Sequence, residues 1–164
     1  MYIRKLKSSE AALFRDLRLQ ALANAPNSFG ETLEQAEAQP NSYWQKLTES
    51  VTKPDGHIMF LAEQLEQVVG FAFGLRDRQD SKVGHLGGMW VNPNFRSQGV
   101  GYGLVEAIIA WGHQLKQERL ELWVTEGNRD AIRLYERVGF IDTSKRDILP
   151  SNPSLQIIQM ALQL

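Results

Sequence analysis

Apolar residues along this chain change their spacing several times, and each change marks an element. The opening "YIRKL" alternates, as a short strand with one buried face does. Ser8 and Ser9 follow as candidate caps with Glu10 close behind. Leu13, Leu17, Leu19 and Leu22 then recur near helical spacing, which predicts an amphipathic helix over 10–24. Pro26, Gly30 and Pro40 punctuate "APNSFGETLEQAEAQP", predicting a loop with one short helical turn. "NSYWQKLTES" reads as a second helix, capped by Asn41 or Ser42. From His57 the period drops to two. "HIMFLAEQ" and "QVVGFAFGLR" predict two strands joined by a tight turn at Leu65 and Glu66, and "SKVGHLGGMWV" predicts a third after the polar "DRQD". These three read as an antiparallel meander.

Past a cluster of glycines, "YGLVEAIIAWGHQLKQ" puts Leu104, Ile108, Trp111 and Leu115 on one helix face. A short apolar strand "LELWV", a helix "NRDAIRLYERVGF" stopped by Gly139, and closing strands "FIDTSKRDIL" and "LQIIQMAL" complete the chain. No repeat, low-complexity tract or linker divides it, so residues 1–164 are expected to form one domain. The element order predicts a mixed α/β fold of α+β character around a single central, mostly antiparallel sheet. One parallel joint is expected at the glycine cluster, where a crossover helix links neighbouring strands.

Composition removes several classes of function. With 164 residues, 43% of them hydrophobic, the chain can bury a sizeable core. A net charge of -1 and a pI near 6.3 give no general drive toward nucleic acid or an anionic membrane, so neither is an expected partner. The absence of Cys removes disulfides, thiolate nucleophiles and Cys-ligated metal, and suits a reducing cytoplasm. "MYIRKLKSSE" lacks the apolar centre of a signal peptide, and no apolar run approaches the ~20 residues of a membrane-spanning helix. A soluble cytoplasmic protein is expected, monomeric or homodimeric. No His pair has the i, i+4 spacing of a zinc helix, so no metal is expected.

The glycines then ask for a reason. Gly99, Gly101 and Gly103 crowd the start of a helix, where Gly costs stability. A helix beginning near Gly99 presents backbone N–H groups without helical partners, and its dipole adds partial positive charge. Without Cβ atoms in the first turn, a pyrophosphate can lie against that backbone, with Arg96 adding charge. Close packing of helix on sheet is the plainer explanation. No Lys-Ser or Lys-Thr follows a Gly, which excludes a nucleoside-triphosphate loop, and the cluster comes too late for a nicotinamide dinucleotide fold.

"VNPNFRSQGVGYGL", with Arg96, Gly99 and Gly101 in the pattern Arg/Gln-x-x-Gly-x-Gly/Ala, resembles the acetyl-coenzyme A (acetyl-CoA) signature of the GCN5-related N-acetyltransferase (GNAT) family. "NRDAIRLYERVGF" resembles that family's second motif, with its Asn, Ala, Leu-Tyr pair and closing Gly-Phe. The sharp part of the resemblance runs from Gly88 to Phe140, while the predicted element order fits the family fold nearly end to end. What it implies is direct transfer of an acetyl group from acetyl-CoA to a primary amine; a small-molecule acceptor is favoured, and a peptide or protein acceptor stays open. In the family two parallel strands splay apart, and the pantetheine arm lies between them like an added strand. Here those strands are "GGMWV" and "LELWV". Met89 and Val91 are then expected to bond the pantetheine and Asn128 the far end of the arm. Arg96, Ser97, Gln98, Gly99, Val100, Gly101 and Gly103 would hold the pyrophosphate.

By the same resemblance Tyr135 is the expected general acid for the leaving thiolate. Many family members carry a Glu base on the strand before the loop, whereas "HLGGMWV" offers only His85. His is a residue type that titrates near neutrality, so His85 is the candidate base; Glu31, Glu126 or a water chain stay open, as does plain packing of His85. Glu31, Glu34 and Glu37 recur every third residue and would favour a cationic amine if they face the cleft, though a solvated helix face is the simpler expectation. Phe29 and Glu31 are candidate acceptor contacts, while Trp44, Tyr43 and Phe29 also suit the core. The late loop "RDILPSNPSLQ" is expected to shape the acceptor pocket. The alternative to an enzyme is an acyl-CoA-binding sensor that has the groove without the turnover.

Overall fold

Leu65 and Glu66 both take positive φ, 52° and 61°, the left-handed pair that a two-residue hairpin turn requires. They join β2 (Ile58–Gln64) to β3 (Gln67–Arg76) in a computed structural model that describes every residue from Met1 to Leu164. With β1 (Tyr2–Lys5), β4 (Val83–Val91), β5 (Arg119–Thr125), β6 (Ile141–Leu149) and β7 (Asn152–Gln163) they form one seven-stranded sheet in the order β1-β2-β3-β4-β5-β7-β6. All neighbours are antiparallel except β4 and β5. The expected mixed α/β sheet with a single parallel joint is therefore present.

That joint is short. Val83, Gly84 and His85 pair with Arg119, Leu120 and Glu121, and the strands then part, although β4 continues to Val91 and β5 to Thr125. The crossover helix between them is α4 (Val100–Gln114). Within β4 a bulge lies between the pairs Phe71↔Trp90 and Phe73↔Gly87, and Gly88 there has φ +53°. Only Gly takes that angle at little cost, and the extra residue re-aims the rest of the strand.

Side chains alternate across the sheet and build a core on each face. On one face α4 and α5 (Arg129–Val138) bury Leu104, Ile108, Trp111 and Tyr135 against Ala72, Leu86, Leu120 and Leu122. On the other, α1 (Ala11–Asn24), α2 (Leu33–Glu37) and α3 (Asn41–Thr52) bury Phe14, Leu22, Ala36 and Trp44 against Met59, Leu61, Phe71 and Trp90. Each fully enclosed Leu or Ile contributes about 1.5–3 kcal/mol through apolar burial. The second core draws strand residues from β2, β3 and β4 but none from β5, β6 or β7. The far half of the sheet is thus bare on that face, where Trp123 and Ile141 are exposed.

Local details differ from the sequence reading for physical reasons. Neither Ser8 nor Ser9 caps α1; Glu10 is its N-cap, and the Glu10 carboxylate accepts from the Lys7 N–H and from both Nη groups of Arg4. An Arg fork from β1 therefore sets the helix start. Asn41 is the first residue of α3, behind Pro40, rather than its cap. The expected late loop is a tight hairpin, since β6 runs to Leu149 and β7 begins at Asn152. Pro153 is tolerated in β7 because β5 pairs only from Ile157 onward, leaving that stretch with a single neighbour. No helix is long and apolar enough to cross a membrane.

Candidate active site

The parted strands β4 and β5 open toward the N-terminus of α4, and a cleft of about 510 Å³ fills the opening. Its walls come from β4 and the following loop, the first turn of α4, α5, and the short 3₁₀ turn Pro26–Ser28. That turn is tied across the opening: Thr125 Oγ1 donates to the Asn27 carbonyl at 2.6 Å, and Ser151 Oγ to the Phe29 carbonyl at 2.5 Å.

At the mouth the backbone itself presents polar groups. Gly99 caps α4 with φ +82° and no side-chain cap, and Ser97 also has positive φ, 59°. Every backbone N–H from Ser97 to Tyr102 lacks a partner in the chain, whereas the next, that of Gly103, bonds the Gly99 carbonyl. Successive free N–H groups in such a turn form a concave anion site, strengthened by the helix dipole. A Cβ on Gly101 would sit 3.0 Å from Leu134 Cδ2 and near Val91 and Met89, so this glycine keeps the cradle open toward the cleft. A pyrophosphate fits those donors and that space. Gly103 does otherwise: its Cβ position meets Met1 and Ile3, so it allows α4 to approach β1 and does not face the cleft.

Arg96 is held in place by donating from Nε to the Val91 carbonyl (3.1 Å) and from Nη2 to Asn24 Oδ1 (3.2 Å). The same Asn24 oxygen accepts from Trp90 Nε1 at 3.2 Å. The Asn92 N–H bonds Val69 across to β3, which fixes the alternation of β4: Trp90 faces β3 with its backbone groups, and Met89 and Val91 turn theirs to the open edge. Such an edge can pair with an extended amide chain. Asn128 caps α5 by accepting from the Ala131 N–H at 3.4 Å and also lines the cleft.

The cleft brings together Met89, Val91, Arg96, Ser97, Gly99, Val100, Gly101 and Asn128. Gln98 turns its side chain away, to the Asn94 carbonyl and Gln64. Tyr135 lies beneath, 5% exposed, its ring tilted on Phe140 with centroids 5.8 Å apart and its hydroxyl without a partner in the chain. Burial pushes that hydroxyl well above the usual tyrosine range. His85 stands at the closed end of the opening, on the last paired position, with Nε2 2.9 Å from Asp77 Oδ2 and Nδ1 4.0 Å from Glu121 Oε2.

The candidate acceptor contacts sit apart from this cleft. Phe29 is 3% exposed under the Arg18 guanidinium, 4.6 Å from its ring centroid, and Glu31 is paired with Arg18 Nε at 2.6 Å. That ion pair spends the Glu31 charge within the chain. Glu34 and Glu37 are exposed, as a solvated helix face requires, and Trp44 belongs to the core. Two arginines escaped the sequence reading. Arg133 and Arg137 line the cleft from α5, and their i, i+4 spacing on the motif helix was the available signal. Asp77, Glu121 and Asn24 offered no such signal, because each reaches its partner only through the fold.

Residues 19–140 match the acetyltransferase (GNAT) family, and the chain belongs to that family. Within it, the chain is similar to an uncharacterized N-acetyltransferase from Methanocaldococcus jannaschii, 34% identical over 59 residues; the match spans 36% of this chain and 26% of that protein. The fold is shared with a ribosomal-protein-alanine N-acetyltransferase from Brucella melitensis (TM-score 0.81, 22% identity, all of both chains). It is also shared with a protein from Salmonella typhimurium solved with its cofactor acetyl-CoA (TM-score 0.81, 18% identity, 100% of this chain and 94% of that one).

Proposed function

We propose that the protein transfers the acetyl group of acetyl-CoA directly to a primary amine, of a small molecule in the first instance. The observation that carries this reading is the row of free backbone N–H groups from Ser97 to Tyr102 at the mouth of an unpaired strand edge. The row suits the pyrophosphate, with Arg96, Arg133 and Arg137 for charge, and the Met89 and Val91 edge suits the amides of the pantetheine. Acetyl-CoA brings an activated acyl group. The amine nitrogen bonds the carbonyl carbon as the carbon–sulfur bond breaks, a backbone N–H near Met89 supports the carbonyl oxygen, and Tyr135 gives the thiolate its proton. Burial keeps the Tyr135 phenol protonated at any working pH and disfavours a lingering phenolate, so its proton passes as the bond breaks and is replaced from solvent.

A peptide acceptor is the second reading, favoured by the bare face of β5, β7 and β6, which offers open sheet surface instead of a closed pocket. Calorimetry with acetyl-CoA, followed by thiol release against a panel of small amines and short peptides, tests both. Binding with turnover on a small amine supports the first reading, and turnover on peptides alone supports the second. Binding without turnover on any acceptor makes the protein an acyl-CoA sensor. No binding overturns all three.

A further inference from the structure

His85 is held from both sides at the point where β4 and β5 separate. Asp77, on the connection from β3, accepts from the Gln79 and Asp80 N–H groups at 2.8 and 2.9 Å and meets His85 Nε2 at 2.9 Å. The His85 bond, followed by those of Gln79 and Asp80, holds the Asp77 carboxyl down at about 2. An ionised carboxylate only accepts, so Nε2 carries the hydrogen and, in the neutral ring, the Nδ1 lone pair is left free. Nδ1 looks toward Glu121 Oε2 across 4.0 Å, too long for a bond. An amine nitrogen about 2.9 Å from each atom would fill that gap.

Position matches chemistry here. Acetyl-CoA carries its phosphates and its thioester at opposite ends, so phosphates at the mouth put the thioester toward the narrow end. His85 lies four residues before Met89 on β4, at most about 13 Å away at ~3.3 Å per residue and less across the Gly88 bulge, so an acyl group whose oxygen meets the N–H near Met89 lies toward the joint. Tyr135 lies on the face covered by α4 and α5, whereas His85 and Glu121 lie on the opposite one. On that opposite face a groove of about 490 Å³ leads to Glu121 past Gln159, Thr143 and Lys145. The other Glu121 oxygen is held by Arg119 at 2.8 Å, and Gln159 Nε2 donates to Oε2 at 3.3 Å. Asp77, Glu121 and, through it, Arg119 are the charged groups around the imidazole; Leu75 is its neighbour on β3.

Resting on the transferase reading, we propose that this joint is the amine station: Glu121 binds the acceptor as an ammonium ion, His85 Nδ1 takes its proton, and Asp77 positions the imidazole. The amine approaches along the bare face, and the thiolate departs on the Tyr135 side. One ammonium proton moves to Nδ1, and the imidazolium, flanked by two carboxylates, returns it to solvent through the groove. The freed lone pair then bonds the acyl carbon as the carbon–sulfur bond breaks, the second N–H proton, made acidic by the new bond, passes to water, and Tyr135 protonates the departing thiolate.

Two nucleophiles separate this role from a merely structural one. Ethylamine is protonated at neutral pH and needs a base, whereas hydroxylamine is already neutral. In single turnovers of the full chain with acetyl-CoA, His85→Gln should lose about 10²–10⁴-fold with ethylamine and stay within about threefold with hydroxylamine. Asp77→Asn should cost at least about tenfold with ethylamine through loss of the tautomer, and should move the acid limb of its pH profile. Glu121→Gln should raise the ethylamine KM more than it lowers kcat. Equal losses on both nucleophiles, or an ethylamine pH profile unchanged in His85→Gln, would overturn the station. A wild-type protein that binds acetyl-CoA yet acetylates neither nucleophile overturns the transferase reading, and the station with it.

Discussion

The two halves of the sheet are dressed differently. β1 to β4 lie between α4 on one face and α1 to α3 on the other, so most apolar side chains of β2 to β4 are enclosed whichever way they point, while His85 at the joint stays partly exposed. β5, β7 and β6 are covered on one face only; on the other stand Trp123, Ile141, Thr143 and Lys145. Stability is concentrated in the first half, and the second offers strands that an outside molecule can reach. The parted joint of β4 and β5 is the border between them. There the covered face supplies Tyr135, and the bare face supplies His85 and Glu121. The proposed direct transfer uses this border, with donor and acceptor meeting from different sides of the sheet.

The largest expected effect tests the border itself. Tyr135→Phe keeps the ring on Phe140 and removes a hydroxyl that has no partner in the chain, so folding and acetyl-CoA binding should be nearly unchanged. Single-turnover acetylation should fall about 10²–10⁴-fold. Steady-state turnover would hide that loss if product release is slow, which is why the single turnover is the measurement. A variant within a few-fold of wild type would take Tyr135 out of the mechanism and leave the covered face with packing alone.

The contrast between halves is checked by a pair of stability measurements. Leu104 is 0% exposed on α4 and packs toward Gly70 of β3. Leu104→Ala should cost about 2–5 kcal/mol, the loss of a buried side chain plus the cavity it leaves. Ile141, 70% exposed on β6, should behave as a surface position, and Ile141→Thr should stay within about 0.5 kcal/mol. Denaturant midpoints at constant slope read both. Comparable losses would mean that the bare face is covered in solution, as by a second copy of the chain, and a concentration-dependent midpoint would show it.

The same border separates what the sequence discloses from what it withholds. The meander, its Leu65-Glu66 turn, the Gly139 stop and the glycine-rich start of α4 are local: each is set by residues a few positions apart, and each is present. The Arg96, Gly99 and Gly101 pattern was legible because a turn and a helix start must be built from consecutive residues. Gly103 looks identical in sequence but lies two residues, just over half a helical turn, beyond Gly101 and serves β1. The His85 neighbours were not legible. Asp77 reaches His85 through the connection between β3 and β4, and Glu121 through a three-residue parallel pairing made 36 positions along the chain by a crossover helix. No spacing rule encodes that register. The Arg18–Glu31 pair was equally hidden: the acidic run read mainly as a solvated helix face, which Glu34 and Glu37 are, while Glu31 is paired through the fold.

The smallest of the expected effects concerns Gly101, and it separates binding from folding. Gly101 has ordinary negative φ, in contrast to Gly99, so a side chain is allowed by the backbone. Its Cβ would lie 3.0 Å from Leu134 Cδ2, the tip of a side chain that can rotate aside. Replacing Gly within a helix gains up to about 1 kcal/mol of propensity, less in the first turn, and this offsets the crowding. Gly101→Gln should therefore melt close to wild type. The longer side chain nevertheless projects into the space before the free N–H groups of Ser97 to Tyr102, where a phosphate would lie. Acetyl-CoA affinity should fall about tenfold, a difference of 1.4 kcal/mol, with a thioester that lacks the phosphates, such as acetyl-pantetheine, losing much less. Calorimetry on both ligands decides it. If both weaken equally, Gly101 shapes the wall of the pantetheine channel and the anion cradle lies elsewhere; if neither weakens while the melting temperature drops, the glycine is there for the packing of α4 on α5.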